Sequence, residues 1–153
     1  MQEELVHALA ARRPQICARW AALLHIERAN SALAHPDALV HLMDWCFTGV
    51  LQSLGAQSSG KHHPSTRASI QRPACPCGRN PYLYFFVAGE QAFLEALVLS
   101  QAELPKLDPI ARDQAVAELF SSIRTLGRNE VEAFCSVCQY QHDPAAAKLA
   151  HSH

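Results

Sequence analysis

A chain of 153 residues, 49% hydrophobic and 18% charged, is long enough for one domain with a sizeable core and too apolar for a disordered segment. Thirteen Lys and Arg against fourteen Asp and Glu leave a net charge of −1, which argues against a whole-surface attraction for nucleic acid or an anionic membrane. There is no uninterrupted apolar run of about 18 residues, and the start, Met1-Gln2-Glu3-Glu4-Leu5, is acidic and amphipathic, unlike a secretory signal. The expected location is therefore the cytosol, where six cysteines stay reduced, bind metal or do redox chemistry rather than form disulfides.

In chain order, residues 2–11 read as a short amphipathic helix carrying Leu5 and Leu9. Pro14 suits the first turn of a second helix running to about Asn30, with Ile16, Trp20, Leu23 and Leu24 on one face. A third helix opens at Pro36-Asp37, where the carboxylate is favoured by the helix dipole. Apolar residues from Leu39 to Leu54 then recur at spacings of three and four, and Gly55 is placed to stop it. Asn80 can cap a fourth helix with Pro81 at its first position; Leu83, Phe86, Val87, Phe93, Leu94, Leu97 and Val98 form its stripe, and Pro105 ends it. Asp108-Pro109 repeats the start signal for a last helix, which His142-Asp143-Pro144 closes. With no internal repeat and almost no strand signal, the chain reads as all-α: an antiparallel bundle of four long helices plus a short N-terminal one. Residues 1–145 form a single helical domain and 146–153 a flexible tail.

Between the two halves, residues 55–80 lose all periodicity. The stretch is rich in Ser, Pro, His and Gly, and Lys61, Arg67, Arg72 and Arg79 make it basic; no acid occurs between Asp44 and Glu90. It reads as a long basic loop, either a mobile crossover between helical hairpins or a recognition segment for an acidic partner.

The chemistry of the sequence is concentrated in its cysteines. Cys75-Pro76-Cys77-Gly78 precedes the fourth helix, and Cys135-Ser136-Val137-Cys138 lies near the end of the last. In an antiparallel hairpin, equal counts from the turn reach equal heights, because each residue rises about 1.5 Å. Counting from the Lys106–Leu107 connection puts Cys75 level with position 138 and Cys77 level with position 136. Cys135 and Cys138 share a helix face at i and i+3, and four thiolates suit tetrahedral zinc in a closed, structural site. Zinc bound by Cys75, Cys77, Cys135 and Cys138 is the expected cofactor, with His142, His62 and His63 as substitute ligands. A dithiol redox switch is the rival use of the same residues, but a helix C-terminus disfavours a thiolate unless a metal holds it.

The same counting sets Glu90, a charge on an apolar stripe, level with Ile123 or Arg124, and Phe86 level with Gly127. A buried Glu90–Arg124 pair is one reading, and a polar ligand site inside the bundle the other. Cys17 and Cys46 lie on apolar faces and read as core. Glu4-x-x-His7 is half of a di-iron pattern that needs two such motifs and two further glutamates. His25, Glu27, His41 and Asp44 match no metal template, and no phosphate loop, nucleophile elbow or dinucleotide fingerprint is present.

Two local resemblances complete the reading. The Cys75-Pro76-Cys77-Gly78 turn resembles the opening of small bacterial C-x-C-G zinc knuckles. The apolar spacing of the first 55 or so residues, with Trp20 and Trp45, resembles the N-terminal helical sensor domains of bacterial RsbR-type stress regulators, which implies a sensory or regulatory role. The cysteine pairs are not part of that family's pattern. The expectation is a zinc-stabilised, non-enzymatic regulatory, sensory or protein-interaction domain that binds a protein partner or a second copy of itself, without membrane or nucleic acid. The alternatives are a thiol redox sensor or oxidoreductase using the Cys135–Cys138 pair, and a metal- or small-ligand-binding bundle.

Overall fold

The computed structural model describes residues 1–26, 36–58, 71–75, 80–104 and 107–138, and all of its regular structure is helical. The helices are α1 (Glu3–Ala11), α2 (Arg13–Ile26), a single turn α3 (Pro36–Leu39), α4 (Met43–Ser58), α5 (Tyr82–Glu103) and α6 (Pro109–Ser136), with a 3₁₀ turn at Val40–Leu42. The chain is thus an antiparallel helical bundle.

Local chemistry accounts for most boundaries. The Asp108 side chain accepts a hydrogen bond from the Ala111 amide at 3.3 Å, and Pro109 follows as the first helical residue. Asn80 caps α5 in the same way, its Oδ1 accepting from the Tyr82 amide at 2.9 Å. Three boundaries differ from expectation, the first being the end of α6, which stops at Ser136, short of His142-Asp143-Pro144. Gly55 does not stop α4, which continues to Ser58; a single glycine costs a helix only about 1 kcal/mol, and the space around Gly55 is open. The third helix is also not continuous from Pro36, since the tighter 3₁₀ turn resets its phase between the buried Leu39 and Met43.

The largest departure concerns α5. The expected stripe leaves Val98 half-exposed, while Phe85, Ala88, Gly89, Ala92 and Ala96 are buried instead. α5 is the central helix, packed against α1, α2 and α6, so apolar residues are needed on several sides and no single stripe survives. By length and composition it could cross a membrane, at 22 residues and a mean hydropathy of 1.4, yet 56% of that stretch is buried within the bundle.

An aromatic ladder holds the centre. The Trp20 indole lies 4.6 Å from the Phe85 ring and 6.1 Å from Phe93, and Phe93 stacks on Phe47 at 5.2 Å. Trp20 Nε1 donates to the Phe85 carbonyl at 2.8 Å, so its polar atom is satisfied in the core. Cross-helix pairs set the registers. Arg19 meets Glu95 and the Tyr84 hydroxyl donates to the Leu23 carbonyl between α2 and α5; Ser53 donates to Ser122 between α4 and α6. Gln101 donates to the Arg112 carbonyl near the α5–α6 turn. At the middle of that hairpin the Phe86 ring lies against bare backbone at Gly127, where a Cβ would come within 2.9 Å of it.

Candidate functional site

The end of the α5–α6 hairpin away from its turn carries Cys135 and Cys138. Helix α6 closes with 3₁₀-type bonds, the Val137 amide to the Phe134 carbonyl and the Cys138 amide to the Cys135 carbonyl, both 3.2 Å. Cys135 therefore sits in the last turn and Cys138 just beyond it. Cys75 reaches the same end from the other side, on an extended strap of residues 71–75. Its Sγ is 3.3 Å from Cys135 Sγ.

That distance has chemical content. It is well beyond the ~2.05 Å of a disulfide, so these are two thiols in contact. Two thiolates bound at about 2.3 Å to one tetrahedral zinc lie about 3.8 Å apart. A shift of about half an ångström would admit a shared ion.

Asn80 links this corner to both helices. It is 1% exposed. Because its Oδ1 accepts from the Tyr82 amide, its Nδ2 must face the other way, donating to the Val131 carbonyl at 3.1 Å and toward Cys135 Sγ at 3.5 Å. An N–H directed at a sulfur is the arrangement that second-shell donors make around metal-bound cysteine. Phe134 packs edge-on against Tyr82 at 5.8 Å and closes the corner beside it. The sequence marked Asn80 only as a cap; nothing in a linear pattern announces its second bond across the hairpin.

Cys77, His62, His63 and His142 lie outside the described residues. Cys138 is half-buried, and among the described residues no group of three or more His, Cys, Asp or Glu side chains is placed to hold a metal. His7 faces Glu3 rather than a second carboxylate–histidine motif, and both are exposed. His25 Nδ1 meets the Ala21 carbonyl and its Nε2 lies 3.7 Å from Asp37, while Asp44 is bound by Arg13. Glu27 lies outside the described residues. Cys46 is buried in the core, and burial, with the Glu130 charge adding to it, pushes its thiol up to about 12. Cys17 is raised as well, first by burial and then by Asp44.

The second polar feature of the hairpin lies near its middle. Arg124 Nε and Nη2 donate to the two Glu90 carboxylate oxygens, both at 2.8 Å, in a side-on pair. Arg72, from the strap, adds a third bond to Glu90 Oε1 at 3.0 Å. Burial alone would raise the Glu90 carboxyl, but the bonds and charges of Arg124 and Arg72 outweigh it and hold the group below its usual range. The bond to Glu90 correspondingly raises Arg124. The strap is thus tied down at three points: Gln71 by its carbonyl to Arg128, Arg72 to Glu90, and Cys75 to Cys135.

No known protein family, curated protein or solved structure matches the chain. A functional reading therefore has to come from this chemistry.

Proposed function

We propose that Cys75, Cys77, Cys135 and Cys138 bind one zinc ion, and that the chain is a non-enzymatic helical domain serving a regulatory, sensory or protein-binding role in the cytosol. The observation that carries the reading is the 3.3 Å approach of Cys75 to Cys135, with the Asn80 amide directed at the Cys135 sulfur. Thiols at a helix C-terminus face the negative end of the helix dipole, and a metal ion offsets that. The metal would be structural, since four protein sulfurs leave no open position for substrate. It would fasten the strap, and with it the basic segment before it, to the end of the bundle. A protein partner or a second copy of the chain is the expected target of such a platform.

The test is metal analysis of protein purified without a histidine tag. About one zinc per chain is expected, lost in the Cys75→Ser/Cys138→Ser double variant. Metal-free protein with four readily titrated thiols sinks the proposal.

The same sulfur contact favours a second reading, a redox pair formed by Cys75 and Cys135. Each thiol would give up a proton and an electron to one molecule of hydrogen peroxide, yielding a disulfide and two molecules of water. Peptide mapping after peroxide treatment decides between them: a reversible Cys75–Cys135 link in metal-free protein supports the switch, and its absence removes it.

A further inference from the structure

With Cys75 at its edge, the strap, α5 and α6 enclose a half-open cavity of about 440 Å³, within the ordinary size range of small-molecule sites. Its wall is mostly apolar, formed by Leu83, Phe86, Val87 and Ile123, with Pro73 and Ala74 of the strap as the roof. The polar groups converge at one end, where Glu90, Arg124 and Arg72 meet. That cluster holds one carboxylate and two guanidinium groups, so it carries a surplus positive charge against an apolar wall. Glu90 is already held side-on by Arg124. Among the described residues Arg72 makes one hydrogen bond, from Nη2 to Glu90, and its side chain is 59% exposed at the cavity mouth. An Arg presents five N–H donors, so Arg72 can keep Glu90 and still grip a second anion.

We infer that this cavity binds a small organic monocarboxylate, its apolar body lying on Leu83, Phe86, Val87 and Ile123 and its carboxylate on Arg72 at the mouth. At about 30 Å³ per water-sized group, the space takes a ligand of roughly fifteen non-hydrogen atoms or fewer. A neutral ligand would leave the surplus charge unused, and a cationic head would meet two guanidinium groups.

Calorimetric titration of the full chain with octanoate, 1-octanol and octylammonium tests it. Octanoate is expected to bind about tenfold or more tightly than 1-octanol, the increment of one charge-assisted hydrogen bond, and octylammonium more weakly than either. Arg72→Gln should bring octanoate to within about threefold of 1-octanol, with an unchanged helical circular dichroism spectrum and a cooperative melt showing that the fold survives the loss of its bond to Glu90. Val87→Trp, which fills the cavity from a half-buried position, should abolish binding of both. Equal binding of acid and alcohol, or an Arg72→Gln variant that keeps the preference, overturns the assignment. So does binding that survives Val87→Trp, which would lie elsewhere, or no binding of any probe, as when another segment of the chain fills the cavity.

Discussion

Gly89 offers the sharpest test of how the bundle is seated. A Cβ built there would lie 2.5, 2.6 and 2.9 Å from three atoms of the Trp20 ring, distances that no real Cβ tolerates. The indole has little room to retreat, since Phe85 and Phe93 pack against it and its N–H is bonded to the Phe85 carbonyl. Gly89→Ala should gain about 1 kcal/mol of helix propensity in α5. Against this stand about 1–3 kcal/mol for overpacking and about 1–3 kcal/mol if the buried indole N–H loses its acceptor. With both losses, the net expectation is about 1–5 kcal/mol of destabilisation. For a domain of this size that lowers the melting temperature by about 2–4 °C per kcal/mol. Urea unfolding followed by tryptophan fluorescence and circular dichroism reads it out. Trp20→Phe, which shortens the ring system, should recover part of the loss in the Gly89→Ala background. Gly55→Ala is the control, because a Cβ added there in α4 would meet no described residue within 4 Å and should stabilise by about 0.5–1 kcal/mol. If Gly89→Ala proves as stable as Gly55→Ala, the close seating of Trp20 on α5 is wrong.

Three further outcomes are expected. Glu90 has a folded-state pKa below its ordinary value, so its contribution to stability is present above about pH 4.3 and is lost as pH falls through the lower folded value. Glu90→Gln should flatten the acid limb of a stability–pH profile, and Arg124→Ala should cost about 2–4 kcal/mol near neutral pH, limited because Arg72 still faces the carboxylate. Asn80→Ala should remove both the cap of α5 and the bond to Val131, costing about 1–2 kcal/mol by chemical denaturation. If zinc is bound, the same change should weaken it by about tenfold or more in a chelator competition. Asn80→Asp should keep the cap yet lose the N–H toward Cys135, which separates the two roles. Cys46, buried and pushed up to about 12, should resist alkylation at pH 8 in native protein and react only on unfolding; rapid labelling of Cys46 in the folded chain would contradict its place in the core.

Much of this architecture is written in local chemistry. Asn80-Pro81 and Asp108-Pro109 mark two helix starts because a side-chain acceptor and a missing N–H act within one turn of the chain. The height of residues across the α5–α6 hairpin was also legible, since the rise per residue is a constant of the helix. Glu90 beside Arg124 and Phe86 against Gly127 follow from counting away from the turn, while Cys75, counted level with position 138, meets Cys135 one turn away. What counting could not supply is rotation about the helix axis and the identity of third neighbours. The tertiary structure alone put α5 at the centre, where α1, α2 and α6 surround it and erase the expected stripe. It alone set Trp20 on Gly89, turned Asn80 into a bridge between two helices, and folded Arg72 back onto Glu90 to roof an apolar cavity. Those arrangements depend on three or more elements packing together, and the chain holds no local record of that.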